Sequence, residues 1–136
     1  MTSSSVLIGL DVGEKRIGIA LANTGVRIAV PLDTIEVDGQ EIEAIAEIAT
    51  REKAEVIVIG YPRNQSGETT AQTALVEEFS TKLSDIASKI VFQDESLTSV
   101  MAEERLTAHN RPYSKGDIDA QAAAIILQDY LEANHG

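Results

Sequence analysis

Hydrophobic residues recur along the chain with two alternating periods, and the switches between them mark its elements. The stretch Ser5-Val6-Leu7-Ile8-Gly9-Leu10-Asp11-Val12-Gly13 is an apolar run ending in a carboxylate and a glycine. Glu14-Lys15-Arg16-Ile17-Gly18-Ile19-Ala20 then alternates weakly. This predicts a buried strand, a tight turn and a second strand that pairs back on the first. Residues 26–35 alternate well enough for a third strand, and Pro31 demotes it to an edge or irregular position. The three segments together predict an antiparallel meander.

Beyond position 40 the period lengthens. Over residues 40–53, Ile42, Ile45, Ala46 and Ala49 fall on one helical stripe and the glutamates mostly off it. Residues 56–60 form an unbroken apolar run, the signature of a strand covered on both faces, and residues 61–67 read as a loop. A helix is expected over about 68–85, with Ala71, Leu75, Phe79, Leu83 and Ile86 along one side. Residues 89–94 form another strand, and Thr98 or Ser99 caps a helix running to about His109. Asn110-Arg111-Pro112-Tyr113 breaks it. Ser114-Lys115-Gly116-Asp117 has capping-box spacing and opens a last helix reaching about Glu132.

The expected order is β-β-β-α-β-α-β-α-α, an α/β chain with a central mixed five-stranded sheet and helices packed on it. Strand–helix–strand connections make neighbouring strands parallel. If the first strand runs parallel to the later two, Asp11, Gly60 and Glu95 emerge at one end of the sheet. Ligands of open α/β sheets collect at that carboxyl end. On the last helix, Asp119, Ala122, Ala123, Ile126 and Tyr130 share a stripe, which turns a third carboxylate toward the sheet. Each acid also has a purely structural reading. Asp11 serves equally as a turn cap, and Asp119 is favoured near a helix N-terminus, although Asp117 is the better capping candidate.

Composition narrows the class. The 136 residues suit one domain, residues 1–136, and 43% of them are hydrophobic, enough for a packed core. With no Trp, that core is built from Ile, Val, Leu and Ala. There is no Cys, which excludes disulfides and thiolate metal sites. No apolar run approaches the ~18 residues of a membrane span, and the N-terminus lacks a basic signal-peptide region. A soluble cytoplasmic protein without membrane association is expected, as a monomer or a homodimer. The net charge is −11, which argues against broad attraction to nucleic acid. Positions 33–55 carry eight of the acids against Arg51 and Lys53, mostly as a solvated helix face. The segments 14–27 and 105–115 are net positive, so a basic rim can coexist with an acidic back.

Three converging carboxylates repel one another unless cations neutralise them. Mg²⁺ or Mn²⁺ is the natural answer, because hard ions prefer oxygen ligands, and two such ions can clamp the attacking and leaving oxygens of a phosphodiester. His109 and His135 lack ligand spacing and read as surface residues.

Four motifs, in order, carry a resemblance to a known family. Asp11-Val12-Gly13-Glu14-Lys15-Arg16-Ile17-Gly18-Ile19-Ala20 resembles the D-x-G-x-K-R-I-G-x-A opening of the YqgF family, whose members are described as Holliday-junction resolvases and pre-16S ribosomal RNA nucleases. Gly60-Tyr61-Pro62-Arg63-Asn64-Gln65-Ser66-Gly67 resembles its G-x-P-x-N-x-x-G loop, and Asp94-Glu95-Ser96-Leu97-Thr98-Ser99 its D-E-R-L-[ST]-[ST] segment. Asp119-Ala120-Gln121-Ala122-Ala123-Ala124-Ile125-Ile126-Leu127-Gln128 resembles D-x-x-A-A-x-x-I-L-Q.

The resemblance implies an RNase H-like fold and an Mg²⁺- or Mn²⁺-dependent endonuclease with two ions, acting on structured nucleic acid. The leading substrate is a ribosomal RNA precursor, matured at the 5′ end of 16S rRNA, and branched DNA comes second. Asp11, Glu95 and Asp119 are the implied catalytic, metal-binding carboxylates. Lys15, Arg16, Asn64, Gly67 and Thr98 are the implied substrate contacts, with ordinary turn surface as the bland alternative for those in turns. Three positions depart from the family pattern. Ser96 replaces a usual Arg, Asn23 a common Asp, and the 110–116 stretch is weakly basic. Two rivals remain, an actin-like ATPase or sugar kinase, for which the chain is too short, and a nucleic-acid-binding module without catalysis.

Overall fold

A computed structural model describes residues 5–62, 71–95, Glu104, Thr107 and 115–135. Five strands, β1 (Val6–Val12), β2 (Arg16–Asn23), β3 (Val30–Glu36), β4 (Ala54–Pro62) and β5 (Lys89–Glu95), form one sheet in the order β3-β2-β1-β4-β5. β1, β2 and β3 pair antiparallel, as the meander predicts. β4 and β5 extend the sheet in parallel with β1. The expected mixed five-stranded sheet is therefore present, and the C-terminal ends of β1, β4 and β5 share one lip.

Strand alternation divides the core in two. Ile8, Leu10, Ile17, Ile19, Ile57 and Ile59 face one side, covered by α1 (Glu41–Glu52) through Ile45, Ile48 and Ala49, and by α2 (Ala71–Lys82) through Val76 and Phe79. Leu7, Ala20, Ala22 and Val58 face the other, beneath α3 (Lys115–His135). The result is a helix–sheet–helix sandwich. Among the described residues, no helix is long and apolar enough to cross a membrane.

Several boundaries differ from the sequence-based expectation. β3 begins at Val30, not at position 26, because Val26 and Arg27 donate their N–H groups to the Asn23 carbonyl in a tight turn where Arg27 takes φ 62°. Pro31 sits on the edge strand, where the β2–β3 register shifts. Tyr61 and Pro62 belong to β4 rather than to a loop. Pairing with β5 continues through Tyr61↔Asp94 and Pro62↔Glu95, and the Tyr61 ring lies 5.0 Å from that of Phe92.

The buried stripe of α2 runs through Thr73, Val76 and Phe79, with Ala71 exposed and Leu75 half-buried. The Thr73 hydroxyl donates to the Pro62 carbonyl at 2.6 Å, so a polar residue occupies the inward face. On α3, Ala122 clusters with Ile118 and Ile125, while Ala123, Ala124, Ile126, Leu127, Tyr130 and Leu131 meet the sheet. The helix is buried nearly all round between Ala122 and Leu127. Of the helix expected over 98–109, only Glu104 and Thr107 are described, and both are helical. Ser114, half of the expected capping box, lies outside the described residues, and Asp117 stands in the first turn of α3.

Candidate active site

The site is built on two glycines that let α3 descend onto the sheet. A Cβ at Gly9 would meet the Leu127 Cβ at 2.8 Å and the Ala123 carbonyl at 3.0 Å. A Cβ at Gly18 would collide with the carbonyl of Asp119. These glycines are nine positions apart in sequence, yet they lie on neighbouring strands and the same face. Together they fix the register of α3, with Asp119 over β2 and Ala123 and Leu127 over β1.

Asp11 is the cross-strand partner of Gly18. Paired residues in a sheet project to one side, so half-buried Asp11 stands on the α3 face, beside the spot where the Asp119 backbone touches down. Neighbouring strands lie about 5 Å apart, so the Asp11 backbone stands about one strand spacing from Gly18, where the Asp119 backbone touches down. The turn before β2 is as tight as the sequence predicts. The Gly13 N–H donates to the Arg16 carbonyl at 2.9 Å, and a Cβ on Gly13 would lie 2.8 Å from that oxygen.

Arg16 opens β2 on the same face as Gly18. Its Nε donates to Asp119 Oδ2 at 2.7 Å, and the two side chains are 38% and 22% exposed. Asp119 therefore has a partner that helical spacing could not disclose, since Arg16 lies 103 positions away. Lys15 is exposed at the apex of the turn, and its carbonyl accepts the Val37 N–H.

Glu95 is the last residue of β5, in register with Pro62. Position 95 belongs to the same alternation series as Val91, which packs on the α3 side. Its backbone stands two strand spacings from Asp11, roughly 10 Å across the sheet. Among the described residues, no three His, Cys, Asp or Glu side chains gather closely enough to hold a metal ion, and the Glu95 side chain is outside that set. Asn64, Gly67, Thr98, Ser96 and the 110–114 stretch also lie outside the described residues.

Two supporting residues escape sequence reasoning. Gln72 Nε2 donates to the Val12 carbonyl at 2.7 Å, and Thr73 holds the Pro62 carbonyl. The first turns of α2 thus tie down the ends of β1 and β4 directly beside the lip. No spacing rule announces this, because both acceptors are backbone atoms of distant strands. Asn23 falls at the opposite end of the sheet, paired with Val6. Its Oδ1 accepts the Gly25 N–H at 2.7 Å. The Asp-to-Asn departure at this position therefore concerns a turn far from the candidate acids.

Comparison with known proteins bears on the family and the fold. A family model described as "RuvX: Holliday junction resolvase" matches residues 5–133. A protein of Chloroflexus aurantiacus named "Putative pre-16S rRNA nuclease" is 39% identical, over 96% of this chain and 89% of its own length. A protein of the same name from Gloeothece citriformis is 36% identical, over 97% of this chain and 91% of its own. Among solved structures, Thermus thermophilus RuvC in complex with Holliday junction substrate superposes with a TM-score of 0.59 at 16% identity, covering 97% of this chain and 96% of that one. At that identity the likeness is one of fold, and the fold is RNase H-like. With its family match spanning the β1–β2 turn, the sheet and α3, the chain belongs to the RuvX family, the YqgF family of nucleases whose motifs it carries.

Proposed function

We propose that this protein is a divalent-metal-dependent endonuclease that cleaves structured RNA, with the precursor of 16S rRNA as its substrate. The observation that carries the reading is the contact at Gly18, which brings Asp119 of α3 down beside Asp11 of β1. The names of relatives at 36–39% identity supply the substrate class.

The donor set suits a hard divalent ion. Asp11 and Asp119 offer carboxylate oxygens, and Asp119 already accepts a cation in the form of the Arg16 guanidinium. Asp11, Asp119 and Glu95 are the residues that would hold Mg²⁺ or Mn²⁺. When bound, such ions lower the pKa of water and stabilise the departing oxygen of a phosphodiester. The protein's own share is positional. Gly18 and Gly9 hold α3 against the strands, Gln72 fixes the end of β1, and Lys15 and Arg16 face the substrate's phosphates from the turn. Asn64, Gly67 and Thr98 complete the proposed substrate contacts. The protein would work in the cytoplasm as one catalytic domain.

The test is incubation of purified protein with end-labelled precursor 16S rRNA and with a synthetic four-way DNA junction, each with Mg²⁺, Mn²⁺ or EDTA. Discrete metal-dependent cleavage of the precursor is expected, with slower cutting of the junction. Preferential junction cleavage would move the substrate to branched DNA. Binding of either without cleavage would contradict the enzyme reading.

A further inference from the structure

We infer that Arg16 is a displaceable counter-ion of the metal site, paired with Asp119 when no divalent ion is bound and released toward a substrate phosphate when one is. The inference rests on the metal-dependent reading above and adds a coupling between metal and nucleic-acid binding.

Three observations support it. Arg16 Nε bonds Asp119 Oδ2 at 2.7 Å, on one of the oxygens that a metal would need. The pair is only partly buried, at 38% and 22% side-chain exposure, so breaking it strands no charge in a dry interior. Asp119 is held at the lip by the packing of α3 on β2, its own backbone seated against Gly18. Arg16 follows directly on the exposed turn residues Glu14 and Lys15, with a long side chain and water beside it. The mobile partner of the pair is therefore the arginine. A guanidinium displaced from a carboxylate keeps its bidentate preference for phosphate. Metal binding then raises the affinity for nucleic acid, and by reciprocity nucleic acid raises the affinity for metal.

The experiment measures Mn²⁺ affinity by calorimetry on full-length protein, alone and with a non-cleavable phosphorothioate RNA duplex. The wild type is compared with Arg16→Gln, Arg16→Lys and Lys15→Gln. Removing the competitor is expected to tighten Mn²⁺ binding about three- to tenfold in Arg16→Gln, with Arg16→Lys between it and wild type. Lys15→Gln, which removes a neighbouring charge that does not touch Asp119, is expected to stay within about twofold. RNA is expected to tighten Mn²⁺ binding in wild type and to lose that effect in Arg16→Gln. Near-ultraviolet circular dichroism checks that each variant is folded, and Arg16→Lys preserves the test should Arg16→Gln fail to fold. Unchanged or weaker Mn²⁺ binding in Arg16→Gln, or equal tightening in Lys15→Gln, would overturn the inference and leave the metal reading standing. Failure of wild type and variants alike to bind Mn²⁺ would overturn both.

Discussion

At Gly18 a single missing methyl group decides where an acid goes. The Asp119 carbonyl occupies the space that a Cβ would need; the oxygen is backbone, and a Cβ is fixed rigidly to its own backbone. Neither can move without shifting a strand or a helix. Gly18→Ala is therefore expected to cost about 2–3 kcal/mol, read as a lower urea midpoint, and to abolish cleavage by lifting Asp119. The Arg16–Asp119 pair contributes far less to stability, about 1 kcal/mol at most at this exposure. Asp119→Asn should therefore unfold within a few degrees of wild type while losing cleavage. At the other end of the sheet, Asn23 bonds its own turn, so Asn23→Asp is expected to leave the cleavage rate within about twofold. A large gain in activity on restoring this aspartate would show that the far end of the sheet reaches the chemistry.

Among the elements, α2 and α3 show what periodicity can and cannot reveal. The existence of α1, α2 and α3 and of the five strands follows from the pattern, because period 2 and period 3.6 are set by backbone geometry. Which face of α2 turns inward is another matter. Thr73 is fully buried because its hydroxyl meets the Pro62 carbonyl, and a polarity scale ranks threonine outside. Thr73→Val should cost about 1–2 kcal/mol by leaving the β4 end without this donor. Chemical denaturation checks the value, and a neutral result would mean the contact is incidental. The stripe drawn through Ala71, Leu75, Phe79, Leu83 and Ile86 holds at Phe79 and Leu83, which are buried, and at Ile86, which packs on the core, and fails at Ala71, which is exposed. On α3 the acid was legible at Asp119 from its spacing with Ala123, whereas its ionic partner was not. Arg16 reads in the sequence as a substrate contact or as turn surface, and only the β2–α3 contact brings it to Asp119.

For the molecule as a whole, the fold was largely written in the motif order, and the site only in part. The parallel pairing of β4 and β5 follows from their strand–helix–strand connection, whereas the parallel placement of β1 was only a condition in the sequence, and the structure meets it by pairing β4 with β1 rather than with β3. Convergence of Asp11 and Asp119 depends on glycines whose role is visible only once two strands and a helix are packed. The charge of the whole chain, −11, also constrains the substrate interaction. Eleven Lys and Arg face twenty-two Asp and Glu, and positions 33–55 hold eight of those acids. Few phosphates can be neutralised at once, so RNA binding should lose affinity with salt along a log–log slope shallower than about −4. A steeper slope, measured by filter binding, would require a basic surface larger than Lys15, Arg16 and their neighbours provide.

The central claim is that acids from β1 and α3 act together at the lip. Its most direct measurement is the single-turnover cleavage rate of labelled precursor 16S rRNA in Mg²⁺ by wild type, Asp11→Asn and Asp119→Asn, each checked for folding. The account predicts discrete cleavage by wild type and a loss of at least about a hundredfold in both variants. Either folded variant cutting at the wild-type rate would contradict it.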